Sequence, residues 1–243
     1  MAQEWYKVDN VAKVFLATNT RRDPRVFRIS CTLQEQIDPE LLNEALRVTA
    51  PEWPQFQVTL HRGLFWHYFE STDQLPTCHP EDKAPCAPLY VPERRNRLIY
   101  RVTYFGSRIN LEMFHALTDG TGALVFVKSL LAEYLSEKYG ISVPAEKGVL
   151  GRLEEPSPEE LEDSFARYAG DVTASRAEAT AWHLTGTPET DGYKDMVTLM
   201  VPADKLRSCA KDHGVSVTEL LCAAMMQAIL ELQAEKGTTA SSR

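Results

Sequence analysis

The sequence predicts an α/β fold, a two-layer sandwich in which a mixed, mainly antiparallel sheet carries helices on one side. Three observations predict it. Residues 25–33 alternate apolar and polar side chains, which is typical of a half-buried strand. Two pairs of short apolar segments are joined by glycine-containing turns and are expected to form hairpins. Two further segments place apolar side chains at helical spacing between clear start and stop signals.

The first of these helices begins at a clear cap. Asp38 is a good N-cap residue, and Pro39 occupies the first helical position, where its missing N–H costs nothing. The segment 51–54 carries a proline at each end and terminates the helix. The apolar positions at helical spacing in between are Leu42, Ala45, Leu46 and Thr49.

The two hairpins are separated by an irregular crossing. The first hairpin pairs 56–61 with 64–70, and the second pairs 98–105 with 109–115. Between them, residues 71–97 contain five prolines and are expected to be extended and irregular. The aromatic side chains of the first hairpin are interpreted as packing residues rather than as an acyl pocket: Phe65, Trp66, Tyr68 and Phe69.

A histidine stands where the last strand ends. If the alternation of the strand continues for one more step, His115 joins the face of Ile109, Leu111 and Met113. An Asp-Gly pair then leads into a helix over 122–139. A histidine beside apolar residues is a structural residue or a catalytic one, and spacing alone leaves both interpretations open.

The string from this histidine, His115-x-x-x-Asp119-Gly120 after a strand and before a helix, resembles the core motif of the chloramphenicol acetyltransferase and condensation-domain superfamily. Phe114 stands where many members carry a second histidine, and the chain looks most like stand-alone alcohol O-acetyltransferases. The resemblance implies a chloramphenicol acetyltransferase-like half, with the motif at the centre.

The resemblance implies an acyltransferase. Its acyl group, for example acetyl, would pass from coenzyme A or a carrier-bound thioester to a small-molecule alcohol or amine. His115 would be the general base, and no bound cofactor or metal would be needed. The imidazole ring suits this role because it exchanges protons near neutral pH.

The two other motif residues have supporting roles. Asp119 either pairs with an arginine or caps the helix that follows. Because Gln57 stands where the family's arginine is expected, the candidates for that pairing are Arg28 and Arg62. Gly120 is expected to allow a tight turn in which a side chain would clash, with a positive φ.

The predicted domains are an N-terminal subdomain over 1–140, a linker over 141–194 and the start of an incomplete second subdomain over 195–243. The linker is expected to hold a short acidic helix, which begins at Ser157, and a mobile loop. The last segment is expected to hold a strand over 195–201 and helices over 203–213 and 217–235.

Members of the superfamily usually contain two similar halves, and the sheet of the second half has no counterpart here. The chain is therefore expected to be a fragment or to do without that half. Helix 217–235 is apolar nearly all round, so a missing half or a second copy is expected to cover it. The alternative function is a non-catalytic or truncated condensation-like module that acts in protein interaction or oligomerisation.

Composition restricts the partners. The net charge of −8, without a basic stripe, argues against nucleic acid as a partner. The sequence has no uninterrupted apolar run of 18 residues, so no membrane span is expected. Five scattered cysteines and the absence of an apolar signal core at the N-terminus favour the cytoplasm. Cys78, His79 and Cys86 are interpreted as solvated loop residues rather than metal ligands.

Overall fold

The computed structural model describes residues 4–81, 84–91, 96–150 and 197–236, with isolated positions between 163 and 187. The chain divides into two compact units. The first comprises Met1–Val172 and Asp191–Tyr193, and the second comprises Thr173–Thr190 and Lys194–Arg243. The predicted acidic helix at Ser157 lies outside the described residues, as does most of the predicted mobile loop.

The first unit alternates strands and helices. Its helices are α1 (Asn10–Thr18), α2 (Pro39–Thr49, followed by a 3-10 turn over Ala50–Glu52) and α3 (Gly120–Tyr139). Its strands are β1 (Trp5–Lys7), β2 (Val26–Thr32), β3 (Val58–Arg62), β4 (His67–Ser71), β5 (Cys78–Pro80), β6 (Tyr100–Phe105) and β7 (Arg108–Phe114).

The strands form two sheets. The smaller has the order β1-β4-β3 and is antiparallel, and the larger has the order β2-β7-β6-β5. The larger sheet is mixed because β5 pairs with β6 in parallel, whereas its other pairs are antiparallel. A single bridge between Thr59 and Leu98 connects the two sheets. The α/β class and the mixed, mainly antiparallel sheet are therefore confirmed.

One face of the larger sheet holds the main core. The alternation of β7 puts Ile109, Leu111 and Met113 on this face, where they are buried. Helices α2 and α3 cover the face, as predicted, through the buried side chains Leu42, Leu46, Phe126, Leu130 and Tyr134. The opposite face is polar, and Glu112 is fully buried there between Arg28 and Arg101.

A second cluster lies at the end of β7 and brings α1 to the motif. Its buried members include Val8, Ala12, Leu60, Phe114 and Ala116. Helix α1 contributes Ala12 together with the half-buried Phe15 and Leu16. The sequence did not predict α1, β1 or β5, and α1 proves to contact the motif histidine.

The described part of the second unit contains the helices α4 (Ala203–Asp212) and α5 (Val217–Lys236), which confirms both predicted helices. The predicted strand over 195–201 is wrong for its described part. Residues 197–201 pair with no described strand, and their apolar side chains are exposed. Alternating apolar residues form a stable strand only where a neighbouring strand completes the hydrogen bonds.

Helix α5 is exposed along most of its length. Within the described part of the chain, one helix, Val217–Glu235, is long and apolar enough to cross a membrane, with a mean hydropathy of 1.3. Glu219, Gln227 and Glu231 interrupt the apolar residues of this helix, so it is apolar on average without containing one uninterrupted apolar run. This length and hydropathy are a weak indication of a membrane span, because core helices of soluble proteins can have them too.

Candidate active site

The backbone of His115 is held at the exit of β7. Its N–H donates a hydrogen bond to the carbonyl of Arg25 at 2.8 Å, which extends the pairing of β2 with β7 by one residue. The N–H of the preceding Phe114 donates to the carbonyl of Ile99 at 2.9 Å on the other side. The strand therefore delivers the histidine to a defined position before the chain turns towards α3.

The imidazole of His115 contacts two phenyl rings. It stacks on Phe15 of α1 with a centroid distance of 4.0 Å and an interplanar angle of 8°. It also contacts Phe27 of β2 at 4.9 Å with a tilt of 55°. Because Phe27 is the register partner of Met113, the histidine continues the apolar face of β7 as the alternation predicts. The side chain is half-buried.

One nitrogen of this ring has an unusual environment. Nδ1 of His115 is buried and has no hydrogen-bond partner among the described residues. A polar atom in that situation costs about 1–3 kcal/mol, and buried polar atoms in native proteins are generally paired. His61 illustrates the structural alternative, because its Nε2 lies 2.8 Å from Thr59 Oγ1 and 3.0 Å from Glu70 Oε2. His115 is thus not a satisfied core histidine.

Asp119 is the N-cap of α3. Its Oδ1 accepts a hydrogen bond from the N–H of Gly122 at 2.9 Å, so of the two interpretations the structure has the capping one. Of the two candidate arginines, Arg28 is paired with Glu81 and Glu112 on the polar face of the sheet.

Gln57, at the position where the family's arginine was expected, binds elsewhere in the first unit. Its Nε2 donates to the hydroxyl of Tyr100 at 3.1 Å and more weakly to the carbonyl of Ala50 at 3.4 Å. Burial raises the pKa of Tyr100, so its hydroxyl stays neutral, and the oxygen accepts this hydrogen bond through a lone pair. The motif aspartate is therefore held by the start of its own helix, and Gln57 helps to fix the core next to α2.

The expectation for Gly120 is wrong. A Cβ added there would meet nothing within 4 Å, and φ is not positive. The close approach is at Gly122 instead, where a Cβ would fall on Oγ1 of Thr118. The second glycine of the Asp-Gly-Thr-Gly string therefore packs the motif turn against the first turn of α3.

The interpretation of Cys78 and His79 as solvated loop residues is wrong, because both lie on β5 and Cys78 is buried in the main core. The thiol of Cys78 is buried against the carbonyl of Pro39 at 3.4 Å, and burial raises its pKa to about 11. Nε2 of His79 lies 3.2 Å from Oγ1 of Thr77. In the part of the chain that the structure describes, no group of three or more His, Cys, Asp or Glu side chains is arranged to hold a metal ion.

Two of the four aromatic residues of the first hairpin are not packing residues. Phe65 is 86% exposed and Trp66 is 61% exposed, because both lie in the turn between β3 and β4. The interpretation holds for Phe69, which packs in the second cluster, and for Tyr68, which stacks on His61.

Sequence reasoning missed Phe15, the residue in closest ring contact with His115. The available signal was Asp9 as an N-cap, followed by apolar residues at helical spacing. The short helix lies in a segment of mixed charge, so this signal was weak.

No family model and no curated protein matches the sequence. Among solved structures, the starter condensation domain of rhizomide synthetase RzmA matches with a TM-score of 0.50 at 14% identity, over 68% of this chain and 44% of that domain. The fold of this chain is similar to that of part of a condensation domain. At this identity the likeness concerns the fold alone, and the chain spans less than half the length of the condensation domain that it matches.

Two further matches have lower TM-scores. A mutant of the same starter domain, in complex with C8-CoA, matches at 0.45, with 13% identity over 58% of this chain and 38% of that one. The X-domain from teicoplanin biosynthesis, in complex with OxyB, matches at 0.43, with 16% identity over 59% and 36%.

Proposed function

We propose that the protein is an acyltransferase that moves an acyl group from coenzyme A or a carrier-bound thioester to an alcohol or amine, with His115 as general base. The observation that carries the proposal is the environment of this imidazole. Its backbone N–H and that of Phe114 are held by strand hydrogen bonds, its ring contacts Phe15 and Phe27, and its Nδ1 is buried without a partner among the described residues. We infer that this positioned imidazole, whose unpaired nitrogen lowers stability, is retained because it has a function.

The proposed reaction requires one proton acceptor. The imidazole of His115, through Nε2 because Nδ1 is buried, takes the proton from the acceptor's O–H or N–H while that oxygen or nitrogen attacks the thioester carbonyl. The tetrahedral intermediate collapses, the C–S bond breaks, and the imidazolium returns the proton to the departing thiolate. Atoms and charge balance without a covalent acyl-enzyme, and general-base catalysis of this kind contributes about 10²- to 10⁴-fold.

The neighbouring residues position the base. Phe15 and Phe27 hold the ring plane and keep water from two of its sides. Asp119 fixes the start of α3, and with it the turn that follows His115. In this proposal Asp119 and Gly120 act through the shape of the motif loop rather than by touching the substrate.

A second candidate function is a non-catalytic condensation-like module that binds another protein or a second copy of this chain. The exposed apolar side chains of α5 favour it: Leu221, Met225, Met226, Ile229, Leu230 and Leu232. Exposed apolar surface of this extent is typical of an interaction site. The two functions are compatible if the partner contributes to the acyl-transfer site.

A screen of acyl-CoA donors against small alcohols and amines, read by mass spectrometry of the acylated products, tests the proposal. We expect product with the wild-type protein and none with His115→Ala. His79→Ala is the matched control, because it removes an exposed imidazole on β5 and should leave turnover intact. Turnover retained by His115→Ala would remove the general base, and a folded wild-type protein inactive on every pair would favour the binding module.

A further inference from the structure

A cleft of about 520 Å³ opens between β1, α1 and the turn that joins β3 to β4. Its lining includes Trp5, Lys7, Lys13, Leu16, Trp66 and His67. The volume lies in the range of small-molecule sites, roughly 300–1,000 Å³. His115 is not among the described residues that line it, so the cleft is separate from the candidate active site.

The walls of the cleft are apolar although they face solvent. Trp5 is 71% exposed, and Phe65 and Trp66 of the hairpin turn are exposed as well. Leu16 and Ala17 of α1 complete the apolar wall on the other side. Large aromatic side chains grouped around a concavity, rather than scattered singly, are typical of a ligand site.

Two lysine side chains line this apolar cleft, each from a different secondary-structure element. Lys7 shares the face of β1 with Trp5, and Lys13 projects from α1. Neither lysine has an ion-pair partner among the described residues, and Nζ of Lys13 donates to the neutral amide oxygen of Asn10 at 2.7 Å.

The nearby carboxylates are engaged elsewhere. Glu4 accepts a hydrogen bond from the hydroxyl of Tyr6 at 2.8 Å, and Glu70 is bound to His61. His67 adds a neutral polar group, because burial and then the charge of Arg62 lower the pKa of its imidazole. The cleft therefore combines apolar walls with two lysines that form no ion pair in the described part of the chain.

We propose that this cleft binds a small amphiphilic anion, with an alkyl chain against Trp5, Phe65 and Trp66 and a carboxylate held by Lys7 and Lys13. The charge complementarity is direct, since two cations without carboxylate partners among the described residues flank an apolar surface. The inference does not depend on the function proposed for His115.

Octanoate is a suitable probe, because two of the four tryptophans of the chain line the cleft and report its occupancy by fluorescence. We expect a saturable change, with affinity rising about fourfold for each methylene from hexanoate to octanoate. Octan-1-ol and octyltrimethylammonium should bind at least tenfold more weakly. Equal affinity for octanoate and octan-1-ol would overturn the anion site.

Variants locate the site. Lys13→Gln should lower octanoate affinity about three- to tenfold and leave octan-1-ol unaffected, whereas Lys147→Gln, which removes a lysine whose side chain is 86% exposed, should change neither. Trp66→Ser should weaken both ligands. His115→Ala should bind octanoate like the wild type, which separates this site from the candidate active site. Octanoate binding unchanged by both Lys13→Gln and Trp66→Ser would place the ligand elsewhere and refute the proposal.

Discussion

At the residue scale, His61 and His115 have opposite polar surroundings. His61 is buried and bonded to Thr59 and Glu70, so its ring satisfies two neighbours. His115 contacts two phenyl rings and leaves Nδ1 buried without a partner among the described residues. The proposed general-base function accounts for His115 better than stability does, and substitutions of the two histidines can be compared directly.

His115→Phe should therefore keep the free energy of unfolding unchanged or raise it by about 1 kcal/mol, because a phenyl ring can contact Phe15 and Phe27 without an orphaned nitrogen. His61→Phe should lower that free energy by about 2 kcal/mol, since it removes the contacts of the imidazole with Thr59 Oγ1 and Glu70 Oε2. Urea unfolding followed by circular dichroism measures both. Equal destabilisation by the two substitutions would mean that His115 is a structural residue.

The polar face of the larger sheet predicts a pH effect through Glu81. Burial alone would raise the pKa of this carboxyl, but hydrogen bonds from Arg28 and Arg108 outweigh it and hold the pKa below its ordinary value of 4.5. A carboxyl whose pKa is lower in the folded state stabilises the protein above the unfolded pKa. It loses that effect as the pH falls through the folded pKa.

Glu81→Gln should accordingly be less stable than the wild type at pH 7. The difference should begin to shrink below about pH 4.5, where the carboxyl of the unfolded chain becomes protonated, and should be lost as the pH falls through the lower pKa of the folded state. Urea unfolding across pH 3–7 measures the difference. Glu146→Gln, on an exposed side chain, is the control and should show little difference at any pH. A gap for Glu81→Gln that stays constant across this range would contradict the assignment.

At the scale of elements, local signals were the predictable ones. Helices α2 and α3 and the two hairpins follow from caps, spacing and turn residues within a few positions of one another. Strand β5 has three residues, and its parallel pairing with β6 joins segments more than twenty residues apart, so no local pattern announces it.

In the candidate active site, too, local features were predictable and long-range contacts were not. The sequence placed His115 at the strand exit and offered the cap of α3 as a role for Asp119, because both depend on adjacent residues. The stacking of Phe15 on His115 depends on a contact across 100 positions and could not be predicted. The glycine at the close approach is Gly122, because the side chain of Thr118 lies where a Cβ would be. The sequence alone does not specify the position of that side chain.

Helix α1 can be tested through its cap. Asp9 accepts a hydrogen bond from the N–H of Ala12 at 2.6 Å, and Asp38 caps α2 through the N–H of Glu40 at 2.9 Å. Asp9→Ala and Asp38→Ala should each cost about 1 kcal/mol of stability. Only Asp9→Ala should also slow acyl transfer, because α1 carries Phe15. Urea unfolding with initial rates measures both effects, and equal rates for the two variants would exclude α1 from the site.

At the scale of the whole molecule, α5 presents a broad apolar surface. Met226 is 66% exposed, and its apolar neighbours along the helix are exposed as well. Sequence reasoning anticipated this surface because the helix is apolar nearly all round. What covers it depends on long-range contacts that periodicity does not encode.

Self-association should follow from this surface. We expect the 243-residue chain to form oligomers at micromolar concentration in light scattering, and Met226→Glu to shift it towards the monomer. Gln227→Glu adds the same charge at an exposed polar position of α5 and is the matched control. A wild-type chain that is monomeric at all concentrations would rule out α5 as an interface between copies.

The His115→Phe variant tests the proton-transfer role of His115 most directly. The measurement is its initial rate of acyl transfer on a donor and acceptor pair that the wild type accepts. The phenyl ring preserves the contacts with Phe15 and Phe27 but cannot accept a proton. We predict a rate at least about 100-fold below that of the wild type in a protein that is equally stable. A rate within a few-fold of the wild type would contradict the general-base role.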